Sequence, residues 1–455
     1  MRSLVLNRVE RSRYLDSVAL MRLSRRLAAL PGIADAALMI GSPSNKALLR
    51  DAGLLAAEGE AAGPNDVVIA VRATDERAAQ AALDRAFDAP VERGAAGLAH
   101  AKTLRGALDR LPHANLVLIS VPGDFAVVEA RKALAAGLNA LVFSSGVPLE
   151  EERALKRLAA AKGLLLMGPD CGTALIAGTP IAFANVVPRG DIGIVSASGT
   201  GLQEVSCLIA RLGGGVSHGI GVGGRDLDER VGALGTLAAI DALEADAATR
   251  TIVLISKPPS ACVAERVLAR LKTTKPSVVC FLGLEDPGLA RTLREAAELA
   301  VGRRVPDETV ARGKAKGRVV GLYCGGTLCS EAEILFRRRG WSGHRFVDLG
   351  NDQFTRGRPH PMIEPELRNE HLALAMADPE VGVVLVDLVL GYGSHPDPAG
   401  VLLKNELRKP VVACVVGTEE DPQVRARQVA KLREAGVLVA PSNAQAAEWA
   451  GALAY

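Results

Sequence analysis

Two stretches of this sequence place glycines and hydroxyl side chains where an apolar run gives way to an amphipathic one. Ser196-Ala197-Ser198-Gly199-Thr200-Gly201 follows Ile192–Val195, and Cys324-Gly325-Gly326-Thr327 follows Val319–Tyr323. A strand leading into a helix puts each stretch at a helix start, where the first amides lack intrahelical acceptors and the dipole is positive. Gly199, Gly201, Gly325 and Gly326 let the backbone approach an anion, and Ser198, Thr200 and Thr327 can add hydroxyl donors. A phosphate or a carboxylate is the natural guest. Neither stretch is a Gly-x-x-x-x-Gly-Lys-Ser/Thr loop. Either one alone is equally well a tight strand-to-helix turn, but two in matched places favour the anion.

Four further side chains fit such a guest. Arg225, in Gly223-Gly224-Arg225-Asp226-Leu227, can clamp a carboxylate or phosphate with two parallel hydrogen bonds, or pair with Asp226 or Asp228 on the surface. Lys257, before Pro258-Pro259 at a strand end, can bind an anion or sit in solvent. Arg358 and His360 lie in Gly357-Arg358-Pro359-His360-Pro361-Met362-Ile363, a loop stiffened by two prolines, where His360 can serve as acid, base or donor, or simply be exposed on a turn. Gly168-Pro169-Asp170-Cys171-Gly172-Thr173 also ends a strand, and its Asp or Thr can touch a ligand. Cys171 lacks a visible cationic partner and is not expected to be a nucleophile. Cys324 at a helix start can have a lowered pKa. Cys324 and Cys329 have no complementary ligand pair, so no metal site is expected.

Short apolar runs alternate with amphipathic helical stretches almost throughout, which predicts βαβ units and parallel sheets. Four blocks follow. Residues 1–102 form an N-terminal α/β domain with no motif that assigns a role, ending in an Ala/Gly-rich linker from Ala86 to Lys102. Residues 103–187 form a Rossmann-like unit with strands at Leu116–Val121, Ala140–Phe143 and Leu164–Met167. Residues 188–304 run from strand Ile192–Val195 through helix Leu202–Leu212 to strand Val278–Leu282. Residues 317–455 repeat that plan from Val319–Tyr323 to Val437–Val439, after a charged linker at Arg303–Lys316. The last two blocks are thus an architectural quasi-repeat. The fold class is α/β, with several doubly wound parallel-sheet domains.

Composition bounds the function. The 455 residues are 49% hydrophobic and 23% charged, enough apolar material for several cores. Aromatics are only 3%, while Ala, Val, Leu and Gly abound, as suits parallel sheets covered by helices. A net charge of +3, with basic residues spread among acids, gives no case for a nucleic-acid partner. Seven scattered cysteines imply no disulfide framework and fit the cytoplasm. No apolar run reaches the roughly 20 residues of a membrane span, so no membrane partner is expected.

The order of these motifs resembles a known family. Val121-Pro122 with its following helix, Met167–Gly172, Gly193–Thr200 and Gly221–Gly224 look like the α subunit of succinyl-CoA ligase. The stretch from Gly321 to about Ala452 looks like the carboxy-terminal domain of the ligase β subunit. The FdrA family fuses these two parts. Ser42–Leu49, Met167–Thr173, Gly178–Asn185, Ala197–Glu204, Gly223–Leu227, Ser256–Pro259 and Gly357–Ile363 resemble it from end to end.

The resemblance implies a Rossmann-like CoA-binding-type domain, two flavodoxin-like ligase domains, and two helix starts that in the ligases face a phosphohistidine. The sequence departs from the ligases in four ways. Gly283–Val301 holds no histidine, Lys257 stands where a supporting glutamate is expected, no ATP-grasp part is present, and no glycine-rich CoA loop is evident before residue 103. FdrA-type proteins are associated with ureide (allantoin) catabolism, as one subunit of a multi-protein oxamate carbamoyltransferase. That implies carbamoyl phosphate or phosphate as the anion, a carboxylate acceptor such as oxamate, Arg225, Lys257, Arg358 or His360 as orienting groups, and further protein subunits as partners. Two other readings use the same residues: an acyl-CoA ligase component without its own phosphohistidine, taking CoA, and a non-catalytic scaffold that binds an anion to regulate a partner.

Overall fold

A computed structural model describes residues 4–13, 15, 17–87, 101–272, 275–308, 315, 317–355 and 359–455, without the side chains of 17, 18, 22 and 352. The chain divides into two compact units, one of Met1–Ala114, Val121–Ala126 and Asp352–Pro359, the other of the remainder. Most of the two linkers expected from sequence, and Arg358, lie outside the described residues.

The first unit is built on β1 (Leu4–Glu10), β2 (Ile33–Ile40) and β3 (Val67–Ala73), in the order β1-β3-β2. Here the expectation of parallel pairing needs correction, because β3 runs antiparallel to both neighbours. The connection from 41 to 66 starts and ends at the same end of the strands, with Ile40 opposite Val67 and the Gly41 amide bonded to the Asp66 carbonyl. A return at the same end reverses strand direction, which apolar periodicity alone cannot reveal. Leu20, Leu23 and Leu27 of helix Ser17–Ala28 and Ala79 and Leu83 of helix Glu76–Arg85 pack on Ile69 and Val71. Leu49 and Leu54 pack on Val68 and Ala70 on the other face. That two-sided burial explains why β3 reads as the unbroken apolar run VVIAV.

The second unit contains three sheets. β4 (Leu116–Ile119), β5 (Asn139–Val142) and β6 (Leu166–Met167) are parallel neighbours. A hairpin, β7 (Thr173–Ile176) and β8 (Thr179–Ala182), turns on Ala177-Gly178, both at positive φ, as a two-residue turn matching the strand twist requires. It extends the next sheet, whose parallel strands are β9 (Ile192–Ser196), β10 (Val216–Gly221), β11 (Thr251–Ser256) and β12 (Ser277–Phe281), in the order β12-β11-β9-β10-β7-β8. The third sheet holds β13 (Arg318–Tyr323), β14 (Arg345–Asp348), β15 (Val381–Val389), β16 (Val411–Val416) and β17 (Leu438–Ala440), all parallel, in the order β14-β13-β15-β16-β17.

In both large sheets the second strand lies outside the first, and the third and fourth follow on the other side. The quasi-repeat is therefore one of topology, and it places the ends of β9 and β13 at the reversal of strand order, where open α/β sheets bind ligands. One continuous apolar core joins the two sheets. It contains Ile194, Leu202, Val205 and Ile255 from one half and Tyr323, Leu328, Phe336, Leu385 and Ala446 from the other. No helix among the described residues is long and apolar enough to cross a membrane.

Candidate active site

Both glycine-rich stretches open helices, Gly199–Arg211 after β9 and Gly326–Arg338 after β13. The two starts meet. Ser198, in extended conformation at the N-cap of the first helix, accepts from the Gly201 amide at 2.9 Å, and its hydroxyl donates to Thr327 Oγ1 at 2.6 Å. At the matching place a methyl group on Gly325, the N-cap of the second helix, would lie 3.1 Å from Thr200 Cβ. Each N-cap thus lies against the threonine at the second position of the facing helix. The first-turn amides of Gly199 and Thr200 have no intrahelical acceptor, and Ser198, Gly199 and Thr200 are only partly buried.

The two starts differ in electrostatics. At the second, the Asp387 carboxylate accepts from the amides of Cys324 and Gly325, at 2.8 and 2.7 Å, and from Arg368 Nη2 at 3.0 Å. Asp387 and Arg368 are fully buried, so the protein fills part of this nest with its own anion and balances it with its own cation. Asp348, at the end of β14, lies beside Gly326, and burial raises its pKa, opposed by its hydrogen bond from Gly350 and by the charge of Lys257. No such internal carboxylate is found at the first start among the described residues, so an incoming anion is met there chiefly by the Gly199 and Thr200 amides; the Gly201 amide, expected from sequence to join them, is already bonded to Ser198 Oγ.

The remaining candidates fall in three places. Lys257 is exposed at the end of β11, has no hydrogen bond or ion pair among the described residues, and its charge reaches Asp348 and Cys329 at the second helix start. His360 is packed against that start from the other side. A methyl group on Gly350 would lie 2.6 Å from His360 Nε2 and 2.6 Å from the Cys324 carbonyl oxygen. Burial pushes the His360 pKa down to about 4. Its Nδ1 accepts from the Met362 amide at 3.2 Å, so the ring is neutral near pH 7 and carries its proton on Nε2, as a hydrogen-bond donor. Arg225 is elsewhere. Its guanidinium pairs with Glu152 at 2.7 Å and donates to the Val147 carbonyl at 2.8 Å, which ties it to the three-stranded sheet. It pairs there, and not with Asp226 or Asp228.

The thiols are quiet. Burial raises the pKa of Cys324 well above the usual value, with Asp387 adding to it, which corrects the expectation that a helix start lowers it. Burial likewise pushes Cys171 up to about 12. Asp387, Arg368 and Asp348 were not singled out from sequence. A lone acid inside the nine-residue run VGVVLVDLV was the available signal, because such a charge is buried only with partners.

Two buried glutamates brace the site from behind. Glu204 and Glu331 stand four residues after Thr200 and Thr327. Glu204 accepts from the first amide of helix Asn443–Ala454 at 3.0 Å. Glu331 accepts from the first amide of helix Leu293–Val301 at 2.7 Å and from Asn443 Nδ2 at 2.8 Å. Each site helix is thereby fixed to the start of another helix.

Across the whole chain the sequence is 40% identical to YahF of Escherichia coli (strain K12), an uncharacterized protein, over 94% of this chain and 95% of that one. The chain belongs to the FdrA family. Within this FdrA-family protein, residues 322–453 match the CoA-ligase family model and residues 3–102 match the model described as AllF, heavy metal-associated domain. The sulfoacetate-CoA ligase (ADP-forming) subunit SauD of Bilophila wadsworthia is 29% identical over 45% of this chain and 72% of its own length. The succinate–CoA ligase (ADP-forming) subunit alpha 2 of Archaeoglobus fulgidus is 27% identical over 49% and 69%. The protein is succinyl-CoA ligase-like, and these relatives overturn the carbamoyltransferase expectation: they are ligases, not transferases.

Neither implied bound group fits in full. Residues 3–102 contain no cysteine, and among the described residues no three His, Cys, Asp or Glu side chains gather to hold a metal ion. For CoA, the turns after β4 and β5 have one glycine each, Gly123 and Gly146. No glycine-rich strand-to-helix cradle for a diphosphate precedes β4 among the described residues.

Proposed function

We propose that the chain is the acid-activating component of an acyl-CoA ligase that draws its phosphohistidine and nucleotide site from partner proteins. The hydroxyl bridge between Ser198 and Thr327 carries this reading, because it brings two helix starts from the two ligase-type halves to one point. A phosphoryl group there would take hydrogen bonds from the Gly199 and Thr200 amides and from the Thr327 hydroxyl. Lys257 would add a mobile positive charge, and His360 Nε2–H a fixed neutral donor. These groups stabilise charge that grows on a phosphoryl or acyl-phosphate oxygen, and none of them need ionise. Asp387 with Arg368 and the pair Glu204 and Glu331 hold the two helices so that the donors do not reorganise.

Calorimetric titration of the full chain with inorganic phosphate tests the site, and acyl-CoA formation from ATP, CoA and a carboxylic acid with an added ATP-grasp partner tests the reaction. Ser198→Ala with Thr327→Val removes the bridge and should weaken phosphate binding by roughly tenfold, the weight of one charge-assisted hydrogen bond. Equal phosphate affinity in wild type and double variant would remove the support for this reading.

A further inference from the structure

Helix Gly199–Arg211 lies as a bar across the carboxyl ends of the third sheet. Its cap, Ser198, meets Thr327 just past β13, through the bond at 2.6 Å. Further along, Gln203 Nε2 donates to the Leu390 carbonyl just past β15 at 3.3 Å, and Glu204 accepts from the Asn443 amide at 3.0 Å. At the last residue of the helix, Arg211 Nη1 donates to the Pro441 carbonyl just past β17 at 2.8 Å. Three strand spacings, roughly 14 Å, separate β13 from β17, and the thirteen residues of the helix span roughly 20 Å. One end of the bar is therefore the meeting point of the two helix starts, and the other lies far outside its reach.

A second arginine shares that far end. Cys414 of β16 stands opposite Ala440 of β17, so the next residues, Val415 and Pro441, lie side by side, about one strand spacing of 4.8 Å apart. Arg425 Nε donates to the Val415 carbonyl at 3.0 Å, beside the carbonyl that holds Arg211. Arg425 opens helix Arg425–Glu434, and Val424 before it is a β-branched residue at φ 55°, a conformation that persists only where surroundings enforce it. The enforcement is local: the Val424 amide donates to the Asp421 carbonyl at 2.8 Å, and the Arg425 amide to the Thr418 carbonyl at 3.1 Å.

Neither guanidinium makes an ion pair, and neither has a further hydrogen-bond partner, among the described residues. Arg211 is exposed and Arg425 partly buried. The acids nearby are engaged with amides. Glu204 holds Asn443, Glu419 accepts from the Ala426 amide at 2.9 Å, and Asp421 accepts from Asn185 Nδ2 and from the amides of Val186 and Thr418. Glu204 and Glu419 act on Arg425 only from beyond ion-pair distance, while burial lowers its pKa and the Arg211 charge lowers it further. Two like charges are thus held at neighbouring strand ends, one half-withdrawn from water, without a carboxylate in contact. Guanidinium forks match phosphate oxygens, and two positive charges match a dianion.

We propose that Arg211 and Arg425 form a second anion site, apart from the two helix starts, that takes a phosphate-type dianion, either the free ion or the phosphate of a phosphomonoester. The Nη groups of Arg425 and the Nε and Nη2 groups of Arg211 donate to its oxygens. A dianion there joins the far end of helix Gly199–Arg211 to the ends of β16 and β17. The site stands independently of the acid-activating reading above.

The test titrates the full chain calorimetrically with inorganic phosphate at low ionic strength. Wild type should show two binding events. Arg211→Gln, at an exposed position and safe for folding, should weaken one of them by roughly tenfold, and Arg425→Gln should weaken the same one. Arg425→Lys keeps the charge without the fork and should fall between Arg425→Gln and wild type. Ser198→Ala with Thr327→Val should weaken the other event and spare this one. Phenyl phosphate separates the two sources: tighter binding than phosphate at the arginine site identifies a phosphomonoester, and exclusion from it identifies the free ion, the site standing in both cases. Unchanged phosphate binding in Arg211→Gln and Arg425→Gln overturns the site. So does a single event weakened alike by the arginine changes and by the Ser198 and Thr327 changes. A single event that only the Ser198 and Thr327 changes weaken overturns the arginine site and leaves the phosphoryl site standing. A single event that only the arginine changes weaken does the reverse. Wild type that binds no phosphate overturns both.

Discussion

Lys156→Met tests how the three-stranded sheet is locked to the ligase sheet beside it. Lys156 Nζ, 1% exposed, donates to Glu152 Oε1 at 2.9 Å, to the Val222 carbonyl at 2.9 Å and to Asp226 Oδ1 at 2.6 Å. Methionine keeps the stem and removes the charge, leaving two buried carboxylates that face each other across its place. Breaking a buried ion pair from one side costs about 3–5 kcal/mol. Here the survivors keep other partners. Asp226 still accepts from the amides of Gly235 and Thr236 and from Thr236 Oγ1, and Glu152 still faces Arg225. The lower end, about 3 kcal/mol, follows, or roughly 4 °C in melting temperature for a unit of this size. Circular dichroism melts read it, with Arg230→Ala as a control, since Arg230 pairs with Asp228 on the surface and should leave the melting temperature essentially unchanged. Lys156→Met with Glu152→Met should recover part of the loss, because one of the two carboxylates that would otherwise face each other across the vacated place is gone. A loss below about 1 kcal/mol in the single variant would refute the view that this cluster is a buried lock.

Further outcomes follow from the same geometry. Burial pushes Glu331 up to about 7 from an ordinary 4.5, so between those values the folded chain binds more protons than the unfolded one, and stability falls as pH rises through that window. At about 1.4 kcal/mol per pH unit the fall is about 3 kcal/mol, and Glu331→Gln should flatten it in denaturation midpoints taken from pH 5 to 8. Asp387→Asn leaves Arg368 as a buried unpaired cation and replaces one carboxylate oxygen by a donor facing an amide. It should destabilise by about 3 kcal/mol, read by urea titration. His360, neutral with a pKa of about 4, should show no titration between pH 5 and 8 in its ring proton NMR signals.

Much of this arrangement was legible in sequence where a local signal existed. Helix Leu149–Ala161 has its expected ends, because Pro148 precedes it and Gly163, at φ 64°, follows it. The strand-to-helix glycine turns identified both site helices, although the first helix begins at Gly199 and not Leu202, since Ser198 caps it. What depended on distant partners was not legible. Arg225 offered two local acids, yet it pairs with Glu152 more than seventy residues earlier. The hairpin β7–β8 escaped because Ala177 occupies a turn position where Asn or Asp is the usual cue. Asp387 could be noticed as a stray charge, but its two amide partners and Arg368 belong to other elements, and only folding brings them together. Buried Gln423 left no trace at all, since its four hydrogen bonds reach Gly391, Ser394 and His395 about thirty residues upstream.

The meeting of Ser198 and Thr327 has a thermodynamic corollary. Each hydroxyl comes from a half that, in the ligases this family resembles, resides on its own subunit. Joined in one polypeptide, the halves find each other at the effective concentration of a tether, in the millimolar range for a short flexible one. Dilution therefore cannot pull this junction apart.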